Sequence, residues 1–310
     1  MQGISFFIPA YNCSKTIAES VDSIMETNFT VGDELLIVND CSTDNTADIL
    51  KDIKVKYPII ILISHSRNKG GAAARNTAVE NAKNELLFCL DSDNVLAPSS
   101  IAQLKKYLTD NNAGAASFQH QRYFLDDKYK PRYIWSLPEG EIGLPSYLCG
   151  ENTPGQHGNY LFTKQSWLSA KGYAEGTGAL DTWTFGLRQA ITGTKMMVLK
   201  DTFYYHRLSG DSYWMQDNEA HLWSVSLKAT YALFPFFDLI EEGFLDYMLG
   251  KGKYTWFYNL KKKPLKLVGE GMKMGFYAKL NQKTRDFVYP KPSILLRAVN
   301  KLKRSFMVLK

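Results

Sequence analysis

Asp91 and Asp93 stand two residues apart in the segment DSDN, directly after the apolar run LLFCL. Hard carboxylate oxygens in this pattern suit Mg²⁺ or Mn²⁺, ions that also take phosphate oxygens from a substrate. A nucleotide diphosphate that departs needs such an ion, because negative charge grows on it as its bond breaks. Asp-x-Asp alone also describes a solvated turn. Its place after an apolar strand favours the ligand reading. Three more polar segments share that placement. Pro9-Ala10-Tyr11-Asn12 follows the run Ile4–Ile8, and Tyr11 offers an apolar face to a base or a packed neighbour. VNDCSTDNT (38–46) sets Asp40 after a second run, where its carboxylate can accept a ring N–H from a pyrimidine. RNKGGAAARNTA (67–78) sets two glycines before an Ala-rich helix that carries Arg75. Small residues allow close backbone approach there, the helix start favours anions, and Arg75 can reach a phosphate or pair with a carboxylate.

These segments need elements to hold them. Short apolar runs at Ile4–Ile8, Leu35–Val38, Ile59–Ile63 and Leu86–Leu90 read as strands. Between them, 14–27, 43–56 and 70–83 read as helices, with Ser14 as an N-cap and Ile17, Val21 and Ile24 on one face. Continuous apolar strands alternating with helices predict a mostly parallel sheet covered on both faces. Ligands of such sheets bind at the carboxyl ends of the strands, where all four polar segments fall. Residues 120–158 read as irregular, a strand resumes near Tyr160–Thr163, a helix covers 180–192, and Met196–Leu199 and Phe203–His206 read as extended. His65, His120, His157 and His221 lack a comparable context and default to core or surface.

Composition removes other classes. The chain has 310 residues, 45% hydrophobic and 22% charged, which excludes disordered, collagen-like and disulfide-scaffold proteins. Four scattered cysteines without a CxxC pair fit a reducing compartment rather than a zinc site or disulfide framework. Neither GxGxxG nor GxxxxGK[ST] occurs, so Rossmann dinucleotide and P-loop chemistry lack their signatures. No signal peptide and no uncharged membrane-spanning run is visible, which leads to a cytoplasmic expectation. The net charge of +6 is uneven: residues 251–310 hold 16 Lys/Arg against two acids. A basic tail on an acidic body suggests an anionic partner, and the acidic body argues against nucleic acid. SILLRAVNKLKRSFMVLK (293–310) places Ile294, Ala298, Leu302 and Phe306 on one helical face. A helix packed on the body is the simpler reading; peripheral contact with an anionic membrane is the other.

PAYN, VNDCSTDNT, NKGGAAARNTA and LDSDN, in that order and spacing, resemble the nucleotide-sugar-binding half of family-2 glycosyltransferases with the GT-A fold. The resemblance is strong over residues 4–118 and continues to about 210. It implies three segments: a nucleotide-sugar half at 1–118, an acceptor half of the same domain at 119–215, and a C-terminal helical, basic extension at 216–310. It implies that Pro9, Ala10, Tyr11 and Asn12 form the base-and-ribose loop. Asp40 would hold a uracil ring, with Asn39 in place of the family's first acid. Arg75 would lie near the donor. Asp91, with Ser92 beside it, would face ribose or sugar, and Asp93 a divalent metal, Mn²⁺ or Mg²⁺. GNYLFTKQSWLSAKGY (158–173) resembles the family's strand–helix segment, with Asn159 facing the cleft. GALDTWTFGLR (178–188) resembles its acidic helix start. Asp181 falls on the first acid and Thr182 on the second, so the base role is assigned to Asp181. In related enzymes a histidine at the end of the next strand ligates the metal, which makes His206 a second ligand candidate. The implied activity is inverting, metal-dependent transfer of a sugar from a nucleotide-sugar, with UDP expected, to a hydroxyl of a glycan, lipid-linked or other acceptor. The alternative is a non-catalytic nucleotide- or glycan-binding protein on the same fold.

Overall fold

The computed structural model describes residues 3–149, 151–208, 228–229 and 231–239. β1 (Ile4–Ala10), α1 (Ile17–Met25), β2 (Glu34–Asn39), α2 (Thr46–Lys56), β3 (Ile61–Ser64), α3 (Gly71–Asn81) and β4 (Leu86–Cys89) alternate through the first third. β5 (Val95–Leu96), α4 (Ser100–Asp110), β6 (Ala115–Phe124), β7 (Tyr133–Ser136), β8 (Gly140–Ile142) and α5 (Leu144–Cys149) follow. β9 (Leu161–Thr163), α6 (Lys164–Ser169), α7 (Asp181–Ile191) and β10 (Met196–Arg207) complete the described body.

The strands form one sheet in the order β3-β2-β1-β4-β9-β6-β10-β5, with β7 on β6 and β8 on β10. Both faces are covered, as expected for an α/β protein. On β1, Phe6 and Ile8 join α1, α2 and α4 on one side, while Phe7 joins α3 and α7 on the other. Each such side chain, fully buried, contributes roughly 1.5–3 kcal/mol of transfer free energy. That burial on alternate sides fixes the register, since a slip of one residue would exchange the two layers.

The strands β1 to β4 are parallel, joined through helices. The second half is mixed rather than mostly parallel. β9 runs antiparallel to both β4 and β6, while β10 returns parallel to β6. The stretch 120–158 is not irregular: it finishes β6, turns a hairpin into β7 and adds β8 and α5. Its polar residues hide the strand period. Gln121 is buried within β6, and Arg122 lies 3.4 Å from the centre of the Phe203 ring. Helix boundaries also shift. α1 starts at Ile17, and Ser14 instead bonds Asp44. Arg188 Nε donates to the Ala232 carbonyl at 2.6 Å, and Lys171 Nζ to that of Pro235 at 3.0 Å, which docks residues 231–239 on the α6–α7 side. Position 230 and residues 209–227 and 240–310, which include the basic tail, lie outside the described residues.

Candidate active site

The carboxyl ends of β1, β2, β3 and β4 open on one edge. The β1 and β2 loops are tied together there. Asn12, at φ 48°, accepts at Oδ1 from the Thr43 amide at 2.8 Å, and its own amide donates to Ser42 Oγ at 3.1 Å. Pro9 and Ala10 end the strand, and the Ala10 carbonyl accepts the Asp40 amide at 2.9 Å. Tyr11 stands 47% exposed at the rim, so its ring face is available.

Asp40 is buried and faces its own chain. Oδ1 accepts from His65 Nδ1 at 2.6 Å and from the Lys69 amide at 2.9 Å, and Oδ2 accepts from the Gly70 amide at 2.7 Å. A carboxylate oxygen carries two lone pairs, so Oδ2 keeps one acceptor position. Gly70 turns at φ 90°, a conformation that glycine adopts without strain, and delivers the chain into α3.

The centre of the site is a buried arginine. Arg75, on α3, donates from Nη1 to Asp181 Oδ2 at 2.5 Å and from Nη2 to Asp91 Oδ1 at 2.7 Å. Burial opposes its charge, but Asp181 and Asp91 hold it protonated. Its Nε is buried with no partner among the described residues. Asn159, just before β9, completes the Asp91 frame: its Oδ1 accepts the Asp91 amide at 2.7 Å, and its Nδ2 donates to Asp91 Oδ2 at 2.9 Å. Asp181 opens α7 and is only 5% exposed. Its Oδ1 accepts the Thr182 amide at 2.7 Å. Burial raises this carboxyl above the ordinary carboxylate range, with the Arg75 charge opposing.

Asp93 has a different setting. Burial and then the neighbouring Asp91 charge push its carboxyl up to about 7. Arg207 Nε donates to the Asp93 carbonyl at 3.2 Å, and the Arg207 amide to Asn94 Oδ1 at 3.1 Å, which pins the DSDN turn to the end of β10. Ser92 accepts at its carbonyl from Thr16 Oγ1 at 2.9 Å. His206, near the end of β10, has its pKa lowered to about 4 by burial, with Asp91 opposing. The ring is therefore neutral near pH 7 and carries one nitrogen lone pair, with Nδ1 lying 3.5 Å from the Tyr204 hydroxyl. Among the described residues, no three His, Cys, Asp or Glu side chains already converge as a metal cluster. The donor set nevertheless fits a divalent ion. A carboxylate that burial and a like charge push towards protonation is one that a cation would relieve, and the substrate's own phosphates supply further oxygens.

The structure thus brings Arg75, Asp91 and Asp181 into direct contact, with Asp93 and His206 beside Asp91. Two histidines that sequence reasoning left to core or surface roles also belong here. His65 bridges Asp40 and Thr77 Oγ1, the latter at 3.0 Å. It directly follows a strand, the same placement that marked the other polar segments. His157 packs 5.3 Å from the His206 ring and hydrogen-bonds the Tyr123 hydroxyl at 3.2 Å. No spacing in the sequence signals it.

The fold, with acids and a buried arginine at the strand ends, agrees with the family match. Residues 5–171 fit the Glycosyl transferase family 2 model, and the chain belongs to that family. It is 41% identical to the hyaluronan synthase of Pasteurella multocida over 213 residues, 67% of this chain and 21% of that protein. It is 31% identical to UDP-Glc:alpha-D-GlcNAc-diphosphoundecaprenol beta-1,3-glucosyltransferase WfaP of Escherichia coli over 138 residues, 44% of this chain and 53% of WfaP. The chain spans about a fifth to about a half of such relatives. The crystal structure of S. aureus TarS in complex with UDP-GlcNAc superposes with a TM-score of 0.61 at 18% identity, covering 92% of this chain and 78% of that one. That likeness establishes the GT-A type of fold. No helix among the described residues is long and apolar enough to cross a membrane.

Proposed function

We propose that the chain transfers a sugar from a nucleotide-sugar, with UDP as the nucleotide, to an acceptor hydroxyl, with inversion at the sugar carbon. The carrying observation is the buried junction in which Arg75 joins Asp91 and Asp181 at the carboxyl edge of the sheet. Tyr11 offers a face to the base, and Asp40 Oδ2 an acceptor position for a ring N–H. Asp91, held by Arg75 and Asn159, is fixed to receive ribose or sugar hydroxyls. Asp93 and His206 would hold Mn²⁺ or Mg²⁺, which when bound supplies charge neutralisation for the departing diphosphate. Asp181 takes the acceptor proton. Burial raises its basicity against the opposing Arg75 charge, the direction that suits a general base.

A glycan or lipid-linked acceptor fits this reading, and WfaP carries a diphosphoundecaprenol acceptor in its name. The 16 Lys/Arg of residues 251–310 suit contact with an anionic lipid or membrane surface. A second reading, binding without turnover, draws on one observation: both Asp181 oxygens already accept hydrogen bonds from the chain. Titration calorimetry with UDP, with and without Mn²⁺, followed by NMR of the anomeric configuration in the product, tests the proposal. Metal-dependent UDP binding with a β-linked product from an α-linked donor supports it. Binding without any product across donors and acceptors favours the second reading.

A further inference from the structure

On the face of the sheet that carries Asn159 and Asp91, aromatic side chains continue outward across three strands. Tyr123 on β6 is paired with His206 on β10 and with Tyr133 on β7. The rings follow the backbone register. His206 and Tyr123 have centroids 4.3 Å apart, and Tyr123 and Tyr133 stack at 4.4 Å with planes 15° apart. His157 and Trp135 border this row, 4.4 Å apart and edge to face. The row starts at His206, beside Asp91, and ends at Tyr133, which is 50% exposed. Two strand spacings put that end about 10 Å from the start. A half-exposed tyrosine, stacked on a buried one and continuous with the site, has one ring face committed and the other open.

We propose that the part of this row beyond His206, from Tyr123 to Tyr133, is a saccharide subsite for the acceptor that adjoins the nucleotide cleft without overlapping it. Pyranose rings present a face of C–H groups that packs on an aromatic ring, while their hydroxyls stay wet at the edges. A row leading away from the transfer point suits the sugar units behind the reacting hydroxyl. The inference rests on the donor-side reading above and adds where the acceptor lies.

The test uses the full chain and saturation-transfer NMR with hyaluronan tetrasaccharide and chondroitin tetrasaccharide, each with and without UDP and Mn²⁺. At least one tetrasaccharide binds, UDP does not displace it, and Tyr133→Ala weakens it by about three- to tenfold, the size of an aromatic stacking contact. Tyr133→Phe restores binding, both variants remain folded, and UDP affinity stays unchanged in both. The subsite is overturned if neither tetrasaccharide gives a signal, if the signal survives Tyr133→Ala, or if UDP displaces it. A chain that binds tetrasaccharide through Tyr133 but ignores UDP keeps the subsite and loses the donor reading.

Discussion

Replacing Gly71 with alanine would put a methyl group where the junction has no room. A Cβ at this first residue of α3 would lie 2.7 Å from Arg75 Nη1 and 3.0 Å from Asp181 Oδ2. In an ordinary helix the change would stabilise by up to about 1 kcal/mol. Here the end of Arg75 cannot simply swing aside. Nη1 is committed to Asp181 at 2.5 Å, Nη2 to Asp91 at 2.7 Å, and the side chain is buried. Loss of one charge-assisted bond costs about 1.5–3 kcal/mol, leaving a net loss of about 0.5–2 kcal/mol. For a domain of this size that is a Tm drop of roughly 1–8 °C. Calorimetry reads it directly, and release of nucleotide from the donor should fall by at least about tenfold, or about 1.4 kcal/mol in barrier, because the Arg75–Asp181 contact is displaced. A Tm at or above that of the parent chain, with normal turnover, would refute the claim that the pair is tightly packed and required.

Other consequences can be measured separately. Asn159→Ala removes both side-chain bonds to the Asp91 frame from a buried position, so Tm should fall and turnover should drop about ten- to a hundredfold; unchanged turnover counts against the frame. The fold keeps His157 neutral, its pKa lowered from 6.5 to about 3 by burial and then by His206. The unfolded chain takes up that proton first, so stability is lost as pH falls from 6.5 towards 3, and His157→Gln should flatten this acid limb in urea titrations. An identical pH slope in the variant would remove His157 as its source. Arg188→Met strips donors from the carbonyls of Ala232 and Gly172 and should make residues 231–239 sensitive to limited proteolysis; equal resistance would mean that other contacts hold the segment.

The first third of the fold is legible because each strand there is a continuous apolar run and each crossover a helix. Parallel pairing follows from that alternation. β9 is not legible in the same way. Three residues carry no periodicity, and its antiparallel direction depends on neighbours far away in sequence. β6 is obscured by its role, since Gln121 and Tyr123 point polar groups into the interior. In the site, types and placement identify Asp91, Asp93 and Arg75, yet nothing in the order of residues reveals that Arg75 reaches Asp181, 106 positions away. His157 stayed hidden for a related reason. A single histidine has no spacing signature, and its meaning comes from the rings that the sheet packs around it.

The Asp91–Asp93 edge carries the proposed metal-assisted turnover of a nucleotide-sugar. Nucleotide release from a panel of UDP-, GDP- and dTDP-sugars, with Mn²⁺ or Mg²⁺, beside Asp93→Ala, tests it most directly. The expected result is release from a UDP-sugar that needs the ion and disappears in a variant that remains folded. Equal release from Asp93→Ala, or no release and no metal-dependent nucleotide binding from any donor, would contradict the account.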